Sequence, residues 1–270
     1  MDISIASDPC LFESDTLDSC YATLEKYSEM SKSDKYFLNG LIRACAPKRI
    51  LEVGVSSGGS SALILNAIKD NSDAKLYSID VLKNAYRYPD KNVGFVVFEQ
   101  FPQFLPQWEL FTGGTFANFS DKVPTGCDFC LLDTAHSLPG ECLDFLLIYP
   151  HLKIGSVVVI HDINLHFMRI LASKNVKGVI SSCLLFNCLY GNKLSSQPVE
   201  HPFSTIGAVQ ITELTKKCLD SIFNLLTLPW TYMPKQNDIT SMADFIERNY
   251  SKEKKDFFLL CIEAQNKIVK

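Results

Sequence analysis

Asp133, His136, His161 and Asp162 are the residues of this sequence best placed to do chemistry. They fall at or just past the ends of two apolar runs, 127–132 and 155–160, that read as buried neighbouring strands. Ligands of open α/β sheets bind at such strand ends. Ionisable groups need partners when buried, so two acids and two of the five histidines side by side point to a function rather than to packing. A histidine titrating near neutrality suits the removal of a proton from a hydroxyl, which makes His136 the candidate general base. Asp133 and Asp162 could instead be oxygen ligands for Mg²⁺, holding two substrate oxygens and lowering the pKa of the attacking one. His161, directly before Asp162, is a further catalytic candidate or simply a hydrogen-bonding partner that orients the acid. His151, His166 and His201 fall in a turn, a helix and a loop, where nothing gives them a specific role.

A second constellation precedes this one. Arg49 to Ser61 reads as a buried strand, a Gly/Ser turn and the start of a helix, in which small residues let backbone approach a ligand closely. Leu76 to Asp80 is a second strand ending in a carboxylate that a parallel neighbour can present to ribose hydroxyls. The turn departs from a dinucleotide fingerprint by placing Ser56 where the second glycine should be, which disfavours NAD. The same residues, Gly54-Val55-Ser56-Ser57-Gly58, also spell the G-x-S-x-G elbow of a serine hydrolase with Ser56 as nucleophile. That fold builds several strands before its elbow, whereas a mostly helical segment precedes this one.

Glu52 in the first strand, the open Gly/Ser loop and Asp80 closing the second strand together resemble the cofactor half of the class I S-adenosylmethionine-dependent methyltransferases. Trp108 to Thr115 is similar to that family's third strand and the turn beside the adenine. Cys127 to His136 resembles its fourth strand, whose terminal acid lies near the reacting methyl, and Leu152 to Asp162 its fifth. The similarity covers about residues 34–212 and is greatest to the sugar and small-molecule O-methyltransferases, macrolide-sugar enzymes included, and more distant to catechol O-methyltransferase. The resemblance implies S-adenosylmethionine held by Glu52, Gly54, Ser56, Gly58, Gly59, Ser60, Asp80, Gly113, Gly114 and Asp133. It implies methylation of a hydroxyl on a sugar, glycan or other small molecule, with Asp133, His136 and His161 as catalytic candidates and Asp133 and Asp162 as the Mg²⁺ candidates. Two departures stand out: many relatives carry an acid where Gly113-Gly114 occurs, and the catechol-type metal site has Asn or Asp where Ile163 follows Asp162. The alternatives are the serine hydrolase and a non-catalytic nucleotide-binding module.

The elements that must position these residues form an α/β pattern: a mostly parallel, seven-stranded, Rossmann-like sheet with helices on both faces, its final pair containing one antiparallel strand. Strands are expected near 49–53, 76–81, 108–112, 127–132, 155–160, 183–188 and 204–211, with helices near 59–70, 139–149 and 163–174. Residues 1–48 read as a helical lead-in, 49–212 as the α/β domain and 213–270 as a C-terminal helical cap. The cap helices are expected over 212–228 and 242–267. The aromatic stretch 84–107 reads as a loop or lid beside the site, although Phe95, Phe98, Phe101 and Phe104 at helical spacing more often mark a core. Cys127 and Cys130 share C-x-x-C spacing but lie in a strand, where they would face opposite sides and serve packing.

Composition narrows the partners. Of 270 residues, 26 are Lys or Arg and 30 Asp or Glu, a formal charge of −4 that argues against a protein held on nucleic acid or on an anionic membrane. No apolar run approaches the length of a membrane span. The opening residues lack a basic n-region and a continuous apolar stretch, so they do not read as a secretory signal, and the ten cysteines are expected to be reduced thiols of a cytoplasmic protein.

Overall fold

Ile50 and Leu51 follow one another in the first strand, and both are fully buried. Successive side chains of a strand point to opposite faces, so a strand buried at every position must be covered on both sides. The computed structural model describes residues 17–174, 178–196 and 202–268. The described residues open with two helices, α1 (Asp18–Tyr27) and α2 (Lys32–Cys45). The first 16 residues of the expected lead-in and His201 lie outside the described residues.

The α/β part runs β1 (Arg49–Val53), α3 (Gly59–Ile68), β2 (Lys75–Asp80), a hairpin of β3 (Asn84–Ala85) and β4 (Tyr88–Asn92), α4 (Phe95–Gln100), β5 (Trp108–Thr112) and α5 (Phe116–Phe119). It continues with β6 (Cys127–Leu132), α6 (Gly140–Ile148), β7 (Leu152–His161), α7 (Leu165–Leu171), α8 (Ser181–Cys188), β8 (Asn192–Ser195) and β9 (Ile206–Gln210). Short helices α9 (Glu213–Lys217) and α10 (Asp220–Leu225) lead to α11 (Gln236–Asn249) and α12 (Lys252–Gln265). The seven-stranded sheet has the order β5-β2-β1-β6-β7-β9-β8. The first five of these pair in parallel, and β9 runs antiparallel to both β7 and β8. The order reverses at β1, so the ends of β1 and β6 flank the switch point where a ligand crevice opens.

Alternate residues of each strand feed two apolar cores. Ile50, Leu76, Phe129, Leu131, Val157 and Val159 pack with buried residues of α1, α2, α3 and α4. Leu51, Ile79, Cys130, Leu132, Val158 and Ile160 pack with those of α6, α8, α10, α11 and α12.

The structure corrects several details. The segment 183–188 is helix α8, not a strand, and its Leu185 is fully buried in the second core. The seventh strand is β8, a short edge strand with Asn192 and Lys193 exposed, features that blunt an edge. The stretch 84–107 is the β3–β4 hairpin, α4 and a 3₁₀ turn; Phe95, Phe101 and Phe104 are core, and Phe98 is half-exposed beside Trp108. The last expected helix begins six residues early and breaks at Tyr250-Ser251, where Ser251 caps α12. Cys127 and Cys130 are buried as expected, but in the same apolar cluster, and the pairing register shifts between Cys127 and Phe129. Among the described residues, no helix is long and apolar enough to cross a membrane.

Candidate active site

The C-terminal ends of β1, β2, β6 and β7 open into one cleft of about 1230 Å³. Its floor is the turn after β1. Gly54 has φ +93°, and a Cβ there would stand 1.8 Å from the carbonyl oxygen of Asp133, so only glycine lets β1 leave the sheet beside β6. Asp80 closes β2 and is 8% exposed. One of its oxygens accepts the backbone N–H groups of Val55 and Ser56 at 3.0 and 2.9 Å, and the other accepts that of Leu82 at 2.8 Å. The acid expected to face a ribose thus lines the cleft while holding the turn in shape.

Gly54, Ser56, Gly59, Ser60, Asp80, Gly114 and Asp133 all line the cleft, whereas Glu52, Gly58 and Gly113 do not. Glu52 is the main correction. Its side chain is fully buried and accepts hydroxyl hydrogen bonds from Ser60, Ser61 and Ser78, each at 2.6 Å. Trp108 extends this network by donating its indole N–H to Ser78 at 2.8 Å. Burial pushes the Glu52 carboxyl up to about 7 against the pull of the three hydroxyls. A buried strand position needs its polar group satisfied within the protein, and these partners leave Glu52 as an anchor between β1, β2 and α3.

At the other side of the cleft, β6 ends at Leu132 and the chain turns through Asp133, Thr134, Ala135 and His136. His136 has φ +54°. The turn is pinned to α6, whose Glu141 accepts the His136 backbone N–H at 2.8 Å and whose Asp144 accepts the Thr134 hydroxyl at 2.8 Å. The ring of His136 lies between acids: Nε2 is 3.2 Å from Asp162 Oδ2 and 3.6 Å from Asp133 Oδ1, and Nδ1 is 2.9 Å from Glu141 Oε1. The Glu141 oxygen is aligned with the backbone N–H and not with the ring, so the latter contact is a charge contact and not a hydrogen bond. Burial would depress the His136 pKa, but Glu141, Asp133 and Asp162 together raise it to about 9. The ring is therefore an imidazolium at neutral pH, which corrects the expectation that it titrates near neutrality.

His161 is 4% exposed and brings its Nδ1 within 3.2 Å of Asp133 Oδ1. Burial disfavours its charge, yet Asp133, Asp162 and Asp34 hold its pKa well above the ordinary value. Asp133 responds in the opposite sense: burial raises it, but His161 and His136 leave it below the usual carboxylate range. For Asp162, burial dominates and the carboxyl is raised. Asp34, Glu141 and Asp144 were not legible as site residues. Glu141 and Asp144 have a local signal in the helix that follows the His136 turn, whereas Asp34 lies 127 residues before His161, the ring it faces.

The donor set does not fit the expected Mg²⁺ centre. Asp133 and Asp162 direct oxygens at histidine nitrogens, Ile163 is a buried apolar side chain, and Asn164 uses its amide to donate to the Ser204 carbonyl at 2.8 Å. Among the described residues no group of three or more acids, histidines or cysteines is arranged around a common cation position. The hydrolase alternative also loses its base. Ser56 has the positive φ of an elbow, +50°, but no histidine bonds its hydroxyl among the described residues.

The family described as a methyltransferase domain matches residues 51–163. No curated protein matches the chain. Among solved structures, the S-adenosylhomocysteine-bound methyltransferase PaMTH1 of Podospora anserina superposes with a TM-score of 0.51 at 15% identity, over 74% of this chain and 89% of that one. The O-methyltransferase TomG of Streptomyces achromogenes, involved in tomaymycin synthesis and solved with S-adenosylmethionine, gives 0.50 at 15% identity over 78% and 95%. An O-methyltransferase of Bacillus cereus in complex with S-adenosylhomocysteine gives 0.50 at 15% identity over 77% and 94%. Residues 51–163 thus match the methyltransferase-domain family, and the chain as a whole shares the fold of these solved methyltransferases.

Proposed function

We propose that this protein transfers a methyl group from S-adenosylmethionine to a hydroxyl of a small molecule, with a sugar or other polyol as the first class to try. The observation that carries the reading is the meeting of the glycine turn with Asp133, His136 and Asp162 in one cleft. Gly54 and Gly59 line the cleft without side chains, which lets a cofactor lie close to the backbone of the turn. Ser56, Ser60, Asp80 and Gly114 would hold the cofactor, with Asp80 fixing the turn and facing the ribose. When bound, S-adenosylmethionine supplies an electrophilic methyl on a positively charged sulfur.

The chain's own residues account for the rest. Asp133, kept ionised by His161, places a negative charge at the end of β6. His136 takes the acceptor's proton at Nε2 once it has lost its own proton, and Asp162 at 3.2 Å steadies the charged ring. Leu143, Met168, Met233 and Met242 supply apolar walls that exclude water, and Asp144 with Tyr232 offers polar contacts to an acceptor. Burial raises the Asp144 carboxyl to about 7, so near neutrality it can donate as well as accept. The described cysteines are all free, in keeping with a cytoplasmic setting as part of the same proposal.

Calorimetry with S-adenosylhomocysteine and with NAD tests the proposal. Binding of the first and not the second is expected. Binding of NAD alone would point to hydride chemistry, and binding of neither to a degenerate module.

A further inference from the structure

The carboxylate of Asp34 is buried at 1% exposure behind the strand ends, although Asp34 lies on α2 and outside the matched segment 51–163. Two hydrogen bonds fix it. Its Oδ2 accepts the Ser31 backbone N–H at 3.2 Å, closing a capping box at the start of α2. Its Oδ1 accepts the Thr205 hydroxyl at 2.6 Å, just before β9. With its position set from both sides, Oδ2 stands 3.6 Å from His161 Nε2.

The opposite edge of the same ring meets the site. Nδ1 of His161 is 3.2 Å from Asp133 Oδ1 and 3.7 Å from Asp162 Oδ2, and the His136 ring is centred 6.4 Å away. A neutral imidazole has one N–H and one lone pair, so it would aim that lone pair at one of these carboxylates. The doubly protonated ring matches ionised carboxylates on both edges. Four carboxylates, Asp34, Asp133, Glu141 and Asp162, surround two imidazole rings here, and such a cluster without positive charge would hold buried negative charge uncompensated.

We propose that Asp34 is a positioning residue which holds His161 as a resident cation that shares with His136 the place between Asp133 and Asp162 that a divalent metal would need, so that the site works without one. Asp34 touches neither the cleft nor any group that would react. Its effect passes through His161, whose ring orientation and charge it sets. The methyl-transfer function rests on the reading above, whereas the histidine geometry does not.

The test uses the full chain with ¹⁵N-labelled histidine. In the wild type at neutral pH the His161 side chain should show both nitrogens protonated, and Asp34→Asn, which keeps an acceptor for Thr205, should lose the proton on Nε2. S-adenosylhomocysteine affinity should change by no more than about twofold in that variant, as for a group that does not touch the ligand. Mn²⁺ titrated into the wild type and followed by electron paramagnetic resonance should stay free up to millimolar concentration, with or without S-adenosylhomocysteine. A neutral His161 in the wild type, an unchanged His161 spectrum in a folded Asp34→Asn, or micromolar Mn²⁺ binding would each overturn the proposal. Should Asp34→Asn fail to fold, the two wild-type measurements still decide. Failure of the wild type to bind S-adenosylhomocysteine would instead count against methyl transfer alone.

Discussion

The Asp80 carboxylate and the backbone N–H of Ser56 are 2.9 Å apart, so the acid that ends β2 holds the turn that ends β1. The same oxygen takes the Val55 N–H at 3.0 Å. A carboxylate shared between two amides of a glycine turn fixes the curvature of that turn before any ligand arrives, which is the sense in which the cleft is preorganised.

Replacing Asp80 by Ala leaves those amides without their acceptor and frees the turn. S-adenosylhomocysteine affinity should fall by about 1–3 kcal/mol, and the melting temperature should fall with it. Asp80→Asn keeps one acceptor and should fall between the two. Calorimetry beside a thermal melt checks both effects, and an Asp80→Ala protein with unchanged affinity would show that the turn keeps its shape unaided.

Much of this arrangement was legible in the sequence, for a physical reason. Strands β1, β2, β5, β6 and β7 are short apolar runs bounded by turns, and the parallel sheet that buries them on both faces places their C-terminal ends together. Asp133, His136, His161 and Asp162 accordingly meet. Helix α8 was not legible because Cys183-Leu184-Leu185-Phe186 is an apolar run too short for periodicity to separate strand from helix. Glu52 reads as a cofactor contact in the sequence because a carboxylate near a strand end looks alike whether it faces a ligand or three serine hydroxyls, and Ser61 and Ser78 reveal the second case only once α3 and β2 are packed. Asp34 reaches His161 through the docking of α2, which no local pattern encodes.

Glu52 supports a prediction that separates anchor from ligand contact. Glu52→Gln preserves the shape and should leave S-adenosylhomocysteine affinity within about twofold, because the side chain does not reach the cleft. Glu52→Ala orphans buried hydroxyls and should lose at least about 2 kcal/mol of stability. The carboxyl is raised from 4.5 to about 7, so the folded state keeps a proton that the unfolded chain releases, and this contribution to stability is lost as pH rises from 4.5 to 7. Glu52→Gln removes that loss. Its melting temperature relative to wild type should therefore be more favourable at pH 8 than at pH 5, and the opposite trend would refute the raised carboxyl.

Gly54→Ala offers a steric test of the turn. The added Cβ would meet the Asp133 carbonyl oxygen at 1.8 Å on a backbone with φ +93°, and the clash is with main chain that cannot swing aside. Expression of folded protein should drop sharply, and any folded fraction should lose cofactor binding. Ser56→Gly is the matched control: it relieves a positive φ of +50° without adding atoms, so stability should hold or improve, by up to about 1 kcal/mol. A fluorophosphonate probe that labels the wild type but not Ser56→Ala would revive the hydrolase.

His136 gives the sharpest dependence on pH. Its pKa is raised from 6.5 to about 9 by Glu141, Asp133 and Asp162 acting against burial. A base raised on folding stabilises the protein fully below its unfolded value, and that contribution disappears as pH climbs from 6.5 to about 9. The size is a few kcal/mol at most, at about 1.4 kcal/mol per unit. His161 shifts in the same direction, so the informative quantity is the difference between wild type and His136→Gln, which should narrow steadily over that window in chemical denaturation. Activity should run the other way. If Nε2 removes the acceptor's proton, the imidazolium must first deprotonate, and turnover on an accepted hydroxyl should rise with pH toward about 9. His136→Ala should then lose roughly 10²–10⁴ in turnover while keeping cofactor affinity. A rate that is flat across the window while the denaturation difference narrows would leave His136 as an ion-pair partner of Asp162 and move proton removal to another group.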